Sequence, residues 1–398
     1  MRRIKVWAIL SYCLPSLLYL LNNQSIAQTK PQSASESGNA PFELKKGDRV
    51  VFLGNSLFEN DFQYGYLELA LTTRWPDRDI TFRNLGWTGD NVFGVARTTI
   101  TNPPTAYELL LDHLAKAQPT VVFVGYGGIE AEEGEAGIPT FTQGLNKLID
   151  TIDSLGARAI LISPIPILTA DSVANPANRN AMLERYSAVM AKTASERGKR
   201  FVDVFKPIQA MSKTVKLTEN GIHLNETGYY CLATILEKAL DVPPRNQTVT
   251  ATPTPGKPFT INDSYLPLPF PTDETGLTNS GQILKIPGLK KGFYTLTADG
   301  AEIKTASAND WAAGVTIRQG PLFEQVRALR QMIVKKNELF FFQYRPPNTT
   351  YILGFRAYEQ GRHVKGLAEQ SILIKWLEGQ IALHGTPTPT VYQLTPLK

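Results

Sequence analysis

Ser56 and His223 are the residues of this chain whose types best suit nucleophilic catalysis. Residues 50–57 read VVFLGNSL, so a run of apolar strand formers ends in a glycine-containing turn that can present one hydroxyl. Open α/β sheets place their sites at such strand ends. The later segment GIHL supplies one of only four histidines in the chain. A serine and a histidine brought together in this way are the minimum parts for nucleophilic ester hydrolysis.

The remaining histidines suit the role of general base less well. His113 lies in the segment LLLDHLAKA, which has the spacing of a helix and predicts a structural role. His363 and His384 lie beyond the region in which Ser56 and His223 occur. His223 is therefore the candidate base.

The elements that must position these residues form an α/β pattern. Continuous apolar strands that alternate with helices predict a parallel sheet covered on both faces, here a domain of roughly 200 residues. The predicted strands span 49–53, 79–85, 120–125, 158–163 and 201–204, and the predicted helices span 107–117, 141–155, 179–197 and 227–240. Ser56 follows the first strand, and His223 precedes the last helix.

The amino-terminal residues have the pattern of an export signal. Three cations occur in the first five residues, residues 6–21 are apolar, and residues 25–27 read SIA, which offers small residues to a signal peptidase. We expect a signal peptide over 1–27 and a flexible leader over 28–46. The mature protein would then be exported to the periplasm or the extracellular space, without stable membrane insertion.

Removal of this segment also changes the charge and the cysteine count. The formal net charge falls from +5 to about +2 (5 − 3), because residues 1–27 carry three cations and no acids. A nearly neutral chain gives no indication of nucleic-acid binding. Cys13 is lost as well, so the remaining Cys231 has no partner for an intramolecular disulfide.

The composition changes after the α/β domain, which is predicted to span 47–243. Residues 244–320 are predicted to form a linker and a small β-rich unit, and residues 321–398 a helical extension. Pro321 stands at a helix-start position. The apolar face of the helix that follows comprises Leu322, Val326, Leu329 and Ile333. Another helix is expected near 367–383.

Two glycine-rich segments follow the second and third strands. The first reads RNLGWTGD and offers the backbone N–H of Gly86 as an oxyanion donor, beside the N–H of Ser56 itself. The second contains Gly127 and Gly128, which let the backbone approach a ligand closely and so suggest the floor of a pocket.

Four sequence blocks resemble, in their order along the chain, those of the SGNH/GDSL hydrolase superfamily of esterases and lipases. They are the segment with Ser56, the segment with Gly86, residues 127–130 and residues 220–223. The resemblance implies a three-layer α/β/α sandwich with a parallel sheet, Ser56 as nucleophile, and Gly86 in the oxyanion hole. Residues 127–130 correspond to the family pattern Gly-x-Asn-Asp/Glu, and residues 220–223 to Asp-x-x-His. The family implies no metal and no organic cofactor. The substrate pocket implied by the resemblance includes Asn55, Gly127, Gly128 and Ile129.

The C-terminal half is similar to an extension found on a bacterial subgroup of secreted GDSL-like proteins.

This sequence departs from the family pattern at three positions. Asn55 replaces an aspartate that takes no direct part in the chemistry. Ile129 replaces an asparagine of the oxyanion hole, and the loss of one such donor typically costs about 3 kcal/mol in transition-state stabilisation. Asn220 replaces the aspartate that orients the histidine, and it can orient an imidazole but cannot stabilise an imidazolium by charge. Glu219, one residue earlier, is an alternative partner for His223.

The sequence therefore predicts a secreted SGNH-type serine esterase that acts on acetylated carbohydrate or lipid esters, through a Ser–His dyad or a modified triad. Its partners would be small-molecule or polysaccharide esters. The alternative is a catalytically impaired protein of the same fold that binds carbohydrate or protein, as Ile129 and Asn220 suggest. A third interpretation makes the C-terminal helices a docking module on an α/β scaffold.

Overall fold

The computed structural model describes residues 41–97, 104–168, 175–245, 248–261, 264–273, 275–277, 281–345 and 360–397. The predicted signal peptide and most of the predicted leader lie outside these ranges. Within them, no helix is both long enough and apolar enough to cross a bilayer.

A five-stranded parallel sheet forms the centre of the α/β domain and confirms the predicted fold class. Its strands are β1 (Arg49–Gly54), β2 (Thr81–Asn84), β3 (Val121–Gly125), β4 (Arg158–Ile162) and β5 (Arg200–Val202). Their order is β2-β1-β3-β4-β5. This order reverses direction between β1 and β3, and α/β sheets bind ligands in the crevice at such a reversal.

Helices cover both faces of this sheet. They are α1 (Ser56–Glu59), α2 (Tyr66–Thr72), α3 (Ala106–Ala117), α4 (Ile138–Ser154), α5 (Pro176–Glu196), α6 (Phe205–Met211) and α7 (Glu226–Ala239). Successive residues of a strand point to opposite faces. Val50 and Phe52 of β1 accordingly join one buried cluster with α2 and α7, while Val51 and Leu53 join another with α3, α4 and α5. The result is the predicted three-layer sandwich.

Two glycines at the ends of adjacent strands allow α1 to sit on the edge of the sheet. Gly54 of β1 pairs with Gly125 of β3. A Cβ on Gly54 would lie 2.4 Å from the Gly125 carbonyl oxygen, and a Cβ on Gly125 would lie 2.7 Å from the Phe58 ring. Contacts this short are excluded for any residue with a Cβ. The two glycines therefore make room for Phe58, and its burial fixes the turn that carries Ser56.

Residues beyond the α/β domain form two small sheets and two long helices. The elements are β6 (Thr248–Thr250), β7 (Pro258–Thr260), β8 (Gln282–Lys285), β9 (Phe293–Ala298), β10 (Ala301–Ser307), α8 (Ala308–Ala313), β11 (Val315–Ile317), α9 (Pro321–Tyr344), α10 (Gln360–His384) and β12 (Val391–Pro396). One sheet has the order β10-β9-β12-β7 and the other β11-β8-β6. Strand β12 pairs with β9 and β7, so the predicted helical extension also contributes a strand to the β-rich unit.

Helix α9 belongs to the core of the α/β domain. The four residues of its predicted apolar face are all buried in the cluster that includes β1, which confirms that face. One turn further along, Lys336 is fully buried and its Nζ lies 2.7 Å from both carboxylate oxygens of Glu68 on α2. The same Nζ donates to the Phe82 carbonyl at 3.2 Å. This ion pair joins the extension to the sheet.

Removal of the Lys336 ammonium is expected to destabilise the fold strongly. Lys336→Ala would leave the Glu68 carboxylate buried without a cation, which typically costs about 3–5 kcal/mol of unfolding free energy. Urea denaturation, monitored by circular dichroism, measures this loss of unfolding free energy. Lys335→Ala is the matched control, because the neighbouring side chain is 59% exposed. Equal denaturation midpoints for the two variants would contradict the structural role of the pair. Lys336→Met combined with Glu68→Leu should recover most of the loss.

Candidate active site

Ser56 is the first residue of α1 and lies at the carboxyl end of β1. Asn55 caps this helix, since its Oδ1 accepts a hydrogen bond from the Leu57 N–H at 3.1 Å. The N–H of Ser56 has no hydrogen-bond partner among the described residues. A free N–H at a helix start is a suitable oxyanion donor.

His223 is held in a tight turn immediately before α7. Thr218 and Leu224 form an isolated antiparallel bridge that closes this turn, and the N–H of Glu219 donates to the His223 carbonyl at 3.0 Å. Asn220 organises the turn from inside, because its Oδ1 accepts from the N–H of His223 at 2.9 Å. These hydrogen bonds therefore fix the backbone position from which the His223 side chain extends.

The same Asn220 side chain decides which imidazole nitrogen carries the proton. Its Oδ1 also accepts from the Ile222 N–H at 3.1 Å, so the amide oxygen is committed to two backbone donors. The amide Nδ2 then faces His223 Nδ1 at 3.2 Å. Rotation of the amide by half a turn would place its NH₂ group against two N–H groups, which is unfavourable. Because Nδ2 can only donate, Nδ1 accepts and the ring proton lies on Nε2.

Glu219 does not take the place of the missing aspartate in this structure. Its side chain is exposed and lines a different cavity, which Ser56 and His223 do not line. Asn220 is therefore the side-chain partner of His223 within the described residues.

Ser56 and His223 line one cavity of about 300 Å³. Its walls are mostly apolar. They include Leu57, Ile129, Pro164, Ile165, Pro166, Ile167, Leu183 and Ile222. Glu132 and Arg179 also line this cavity and form an ion pair with each other. The cavity can therefore accept an apolar group of moderate size beside a nucleophile and a base.

The predicted pocket residues are placed at or near this cavity. Asn55, Gly128 and Ile129 line it, whereas Gly127 does not. Gly127 has a φ of +91°, and its N–H donates to Glu130 at 2.8 Å. Its contribution is the shape of the loop that carries its neighbours.

Gly86 lies close to α1, but its N–H is already engaged. It donates to the Asn84 side-chain oxygen at 2.9 Å, and Gly86 does not line the cavity. A Cβ on Gly86 would lie 2.2 Å from the Glu59 nitrogen, so this glycine is required by packing. Gly89 in the same loop has a φ of +80° and an N–H without a partner in the described part of the chain. Gly89 does not line the cavity either, but its free N–H makes it the remaining candidate donor of this loop, where the sequence predicts Gly86.

Residues 52–230 match the model of the GDSL-like lipase/acylhydrolase family. The α/β domain of this chain matches that family. The match confirms the resemblance inferred from the four sequence blocks. No curated protein sequence matches the chain.

Solved structures of similar fold include a gut microbial diltiazem-metabolizing enzyme. It aligns with a TM-score of 0.68 and 18% identity over 89% of this chain and 99% of that one. At this identity the likeness shows the fold, and it extends well beyond the GDSL-like α/β domain. A catalytic mutant of the acetylxylan esterase Axe2 from Geobacillus stearothermophilus aligns with a TM-score of 0.42 and 18% identity, over 51% of this chain and 98% of that one.

The third block of this GDSL-like domain combines one exposed and one buried residue. Ile129 is 38% exposed and faces the cavity, where the family pattern has an asparagine. Glu130 is buried and accepts hydrogen bonds from the N–H groups of Gly127 at 2.8 Å and Val92 at 2.9 Å. It therefore joins the loop of Gly127 to the loop of Val92. Burial raises the pKa of Glu130 to about 7.

This raised pKa predicts a pH-dependent stability. An unfolded glutamate titrates near its ordinary value, so the folded state binds more protons between about pH 4.5 and pH 7. The contribution of Glu130 to the unfolding free energy should therefore fall by about 2–3 kcal/mol as the pH rises from 5 to 8. Denaturation of wild type and Glu130→Gln at several pH values measures the difference. A difference between the two proteins that stays constant with pH would contradict the assignment.

Proposed function

We propose that this protein is an exported serine esterase of the GDSL type. The observation that carries the proposal is that Ser56 and His223 line one cavity, at the carboxyl edge of the parallel sheet. They lie 167 positions apart in the sequence (223 − 56), and the fold alone brings them together. Export is proposed on the sequence pattern of residues 1–27.

In this proposal the ester is cleaved in two steps. Ser56 Oγ attacks the ester carbonyl while His223 Nε2 accepts the hydroxyl proton and then returns it to the leaving alcohol. Water then repeats the sequence on the acyl-enzyme, which releases the carboxylic acid and restores Ser56. The N–H groups of Ser56 and Gly89 stabilise the negatively charged oxygen of each tetrahedral intermediate.

Asn220 makes the first proton transfer difficult. The imidazole can accept a proton at Nε2 only in the tautomer that carries its other proton on Nδ1. That tautomer places two donors, Nδ1–H and the Asn220 NH₂ group, against each other. The reactive form is therefore a minor one, and we expect a functional but slow Ser–His dyad.

The cavity walls favour substrates with an apolar group next to the ester. Ile129, Ile165 and Ile167 offer hydrocarbon surface, and Ile129 replaces a polar side chain of the family pattern. Between the acetylated carbohydrates and the lipid esters expected from the sequence, these walls support the lipid esters. The burial of each methylene group contributes about 0.8 kcal/mol to binding.

A binding function without turnover is the second candidate. It is favoured by the two replacements at the site, Ile129 for an oxyanion donor and Asn220 for the charged partner of the histidine. Such a protein would hold an ester or a related ligand in the same cavity without forming an acyl-enzyme.

Replacement of Ser56 tests the esterase proposal directly. Ser56→Ala should lower the hydrolysis of p-nitrophenyl acetate, p-nitrophenyl hexanoate and acetylated xylan at least about a thousandfold, because the nucleophile is lost. Ser195→Ala is the matched control, since Ser195 is exposed on α5. Equal rates for wild type and Ser56→Ala would refute the esterase. A fluorophosphonate that leaves wild-type Ser56 unlabelled would favour the binding function.

Restoration of the family aspartate tests the role of Asn220. In Asn220→Asp, carboxylate oxygens can accept both from the backbone and from His223 Nδ1–H, which frees Nε2 to act as the base. We expect kcat for p-nitrophenyl hexanoate to rise by about two to four orders of magnitude. Asn146→Asp on α4 is a control for the added charge away from the site. An unchanged or lower kcat in Asn220→Asp would show that the tautomer of His223 does not limit the reaction.

A further inference from the structure

The last turn of α9 contacts the loop that follows β2 and contains the candidate oxyanion donor Gly89. We infer that Arg345 is a positioning residue that, with Tyr344, holds this loop against the helix of Ser56. The inference rests on the proposed function and extends it, because it makes the C-terminal extension a part of the active-site framework. The loop is defined here as residues 86–89.

Glu59 is the point at which the loop, the Ser56 helix and the extension meet. It is the last residue of α1, three positions after Ser56. One of its carboxylate oxygens accepts from both the Thr88 N–H and Arg345 Nη1, the latter at 2.9 Å. The Glu59 side chain is only 13% exposed, so the guanidinium is needed to compensate its charge.

Trp87 provides a second contact with the same arginine. The Arg345 guanidinium lies 3.9 Å from the centre of the Trp87 ring, in cation–π geometry. The ring also stacks on His113 with a centroid distance of 6.1 Å, and Arg97 lies 5.1 Å from its centre. The backbone N–H of Trp87 donates a hydrogen bond to the Gly54 carbonyl at 2.9 Å. Arg345 therefore packs against a ring that also contacts His113 and Arg97 of the α/β domain.

Tyr344 holds the start of the loop. Its hydroxyl donates to the Gly86 carbonyl at 2.7 Å. Burial raises the pKa of Tyr344 above its ordinary value, so the hydroxyl stays protonated and remains a donor at physiological pH. Tyr344 thus fixes the carbonyl of Gly86. Arg345 fixes the ring of Trp87 directly and the N–H of Thr88 through Glu59. The next residue is Gly89, whose free N–H is the proposed oxyanion donor.

Helix α9 does not need Arg345 to stay in place. It is anchored earlier by its buried apolar face, by the Lys336–Glu68 pair, and by Arg330, which pairs with Glu226 and donates to Tyr66 at 2.6 Å. Loss of the Arg345 side chain should therefore loosen the loop without unfolding the helix. Displacement of a transition-state donor lowers kcat, while substrate binding in the apolar cavity changes little.

Arg345→Ala, Arg345→Lys and Tyr344→Phe test this inference on the full mature chain. With p-nitrophenyl hexanoate, Arg345→Ala should lower kcat roughly ten- to a hundredfold and leave KM within about twofold. Arg345→Lys should recover part of the loss, because it restores a cation beside Glu59. Arg327→Ala is the control, since this arginine lies on the same helix in an exposed pair with Glu324 and should retain the wild-type kcat.

A readout that does not depend on turnover separates this inference from the esterase proposal. In Arg345→Ala, the amide resonances of Thr88 and Gly89 should shift, and the Thr88 amide should exchange with deuterium faster, at an unchanged melting temperature. Equal activity of Ser56→Ala and wild type would refute the esterase, whereas faster Thr88 exchange would still support the positioning role. Unperturbed Thr88 and Gly89 amides in Arg345→Ala would overturn the inference, as would an equal loss of kcat in Arg327→Ala.

Discussion

The close approach of two glycines at the ends of β1 and β3 is the constraint on which the site depends. Gly54 and Gly125 leave no room for a Cβ, because the ring of Phe58 lies directly against both. With Phe58 fixed, α1 begins at Ser56, and its last residue, Glu59, lies against the loop after β2. A side chain at either glycine would displace α1, and with it both Ser56 and Glu59.

On this framework Ser56 and His223 line one cavity, and the side chain of Asn220 that faces His223 is a neutral amide. The turn before α7 directs His223 into the same cavity as Ser56, yet Asn220 offers its NH₂ group to the imidazole. An aspartate at that position would both fix the ring and stabilise the imidazolium that forms during reaction. Asparagine keeps the geometry of the turn, because its oxygen still caps two backbone N–H groups. Asn220 therefore preserves the turn, and in the proposed mechanism it lowers the reactivity of the histidine.

The sheet and its four longer helices were predictable from the sequence because their signals are local, whereas the short helices α2 and α6 were not predicted. Apolar runs such as that of β1 and the apolar face of α9 have periods that a short window reveals. Strand β12 was not predicted, since its partners β9 and β7 lie about a hundred residues or more earlier and its pairing is nonlocal. Ser56 and His223 could be named because few residue types can do their chemistry and their sequence context is specific.

Contacts that depend on side-chain direction could not be read from the sequence. The engagement of the Gly86 N–H by Asn84 is one example, and the exposed orientation of Glu219 is another. The role of Arg345 was also hidden, because it contacts Glu59 across 286 positions of the chain. The second glycine of the segment RNLGWTGD, Gly89, was the signal in the sequence that could have pointed to the alternative donor.

The proposed mechanism depends on the tautomer of His223, which nitrogen NMR measures directly. For a neutral imidazole, two-dimensional ¹H–¹⁵N spectra of the uniformly labelled protein distinguish a protonated ring nitrogen from an unprotonated one. The structure predicts a proton on Nε2 in the wild type and on Nδ1 in Asn220→Asp. A proton on Nδ1 in the wild-type protein would contradict the account.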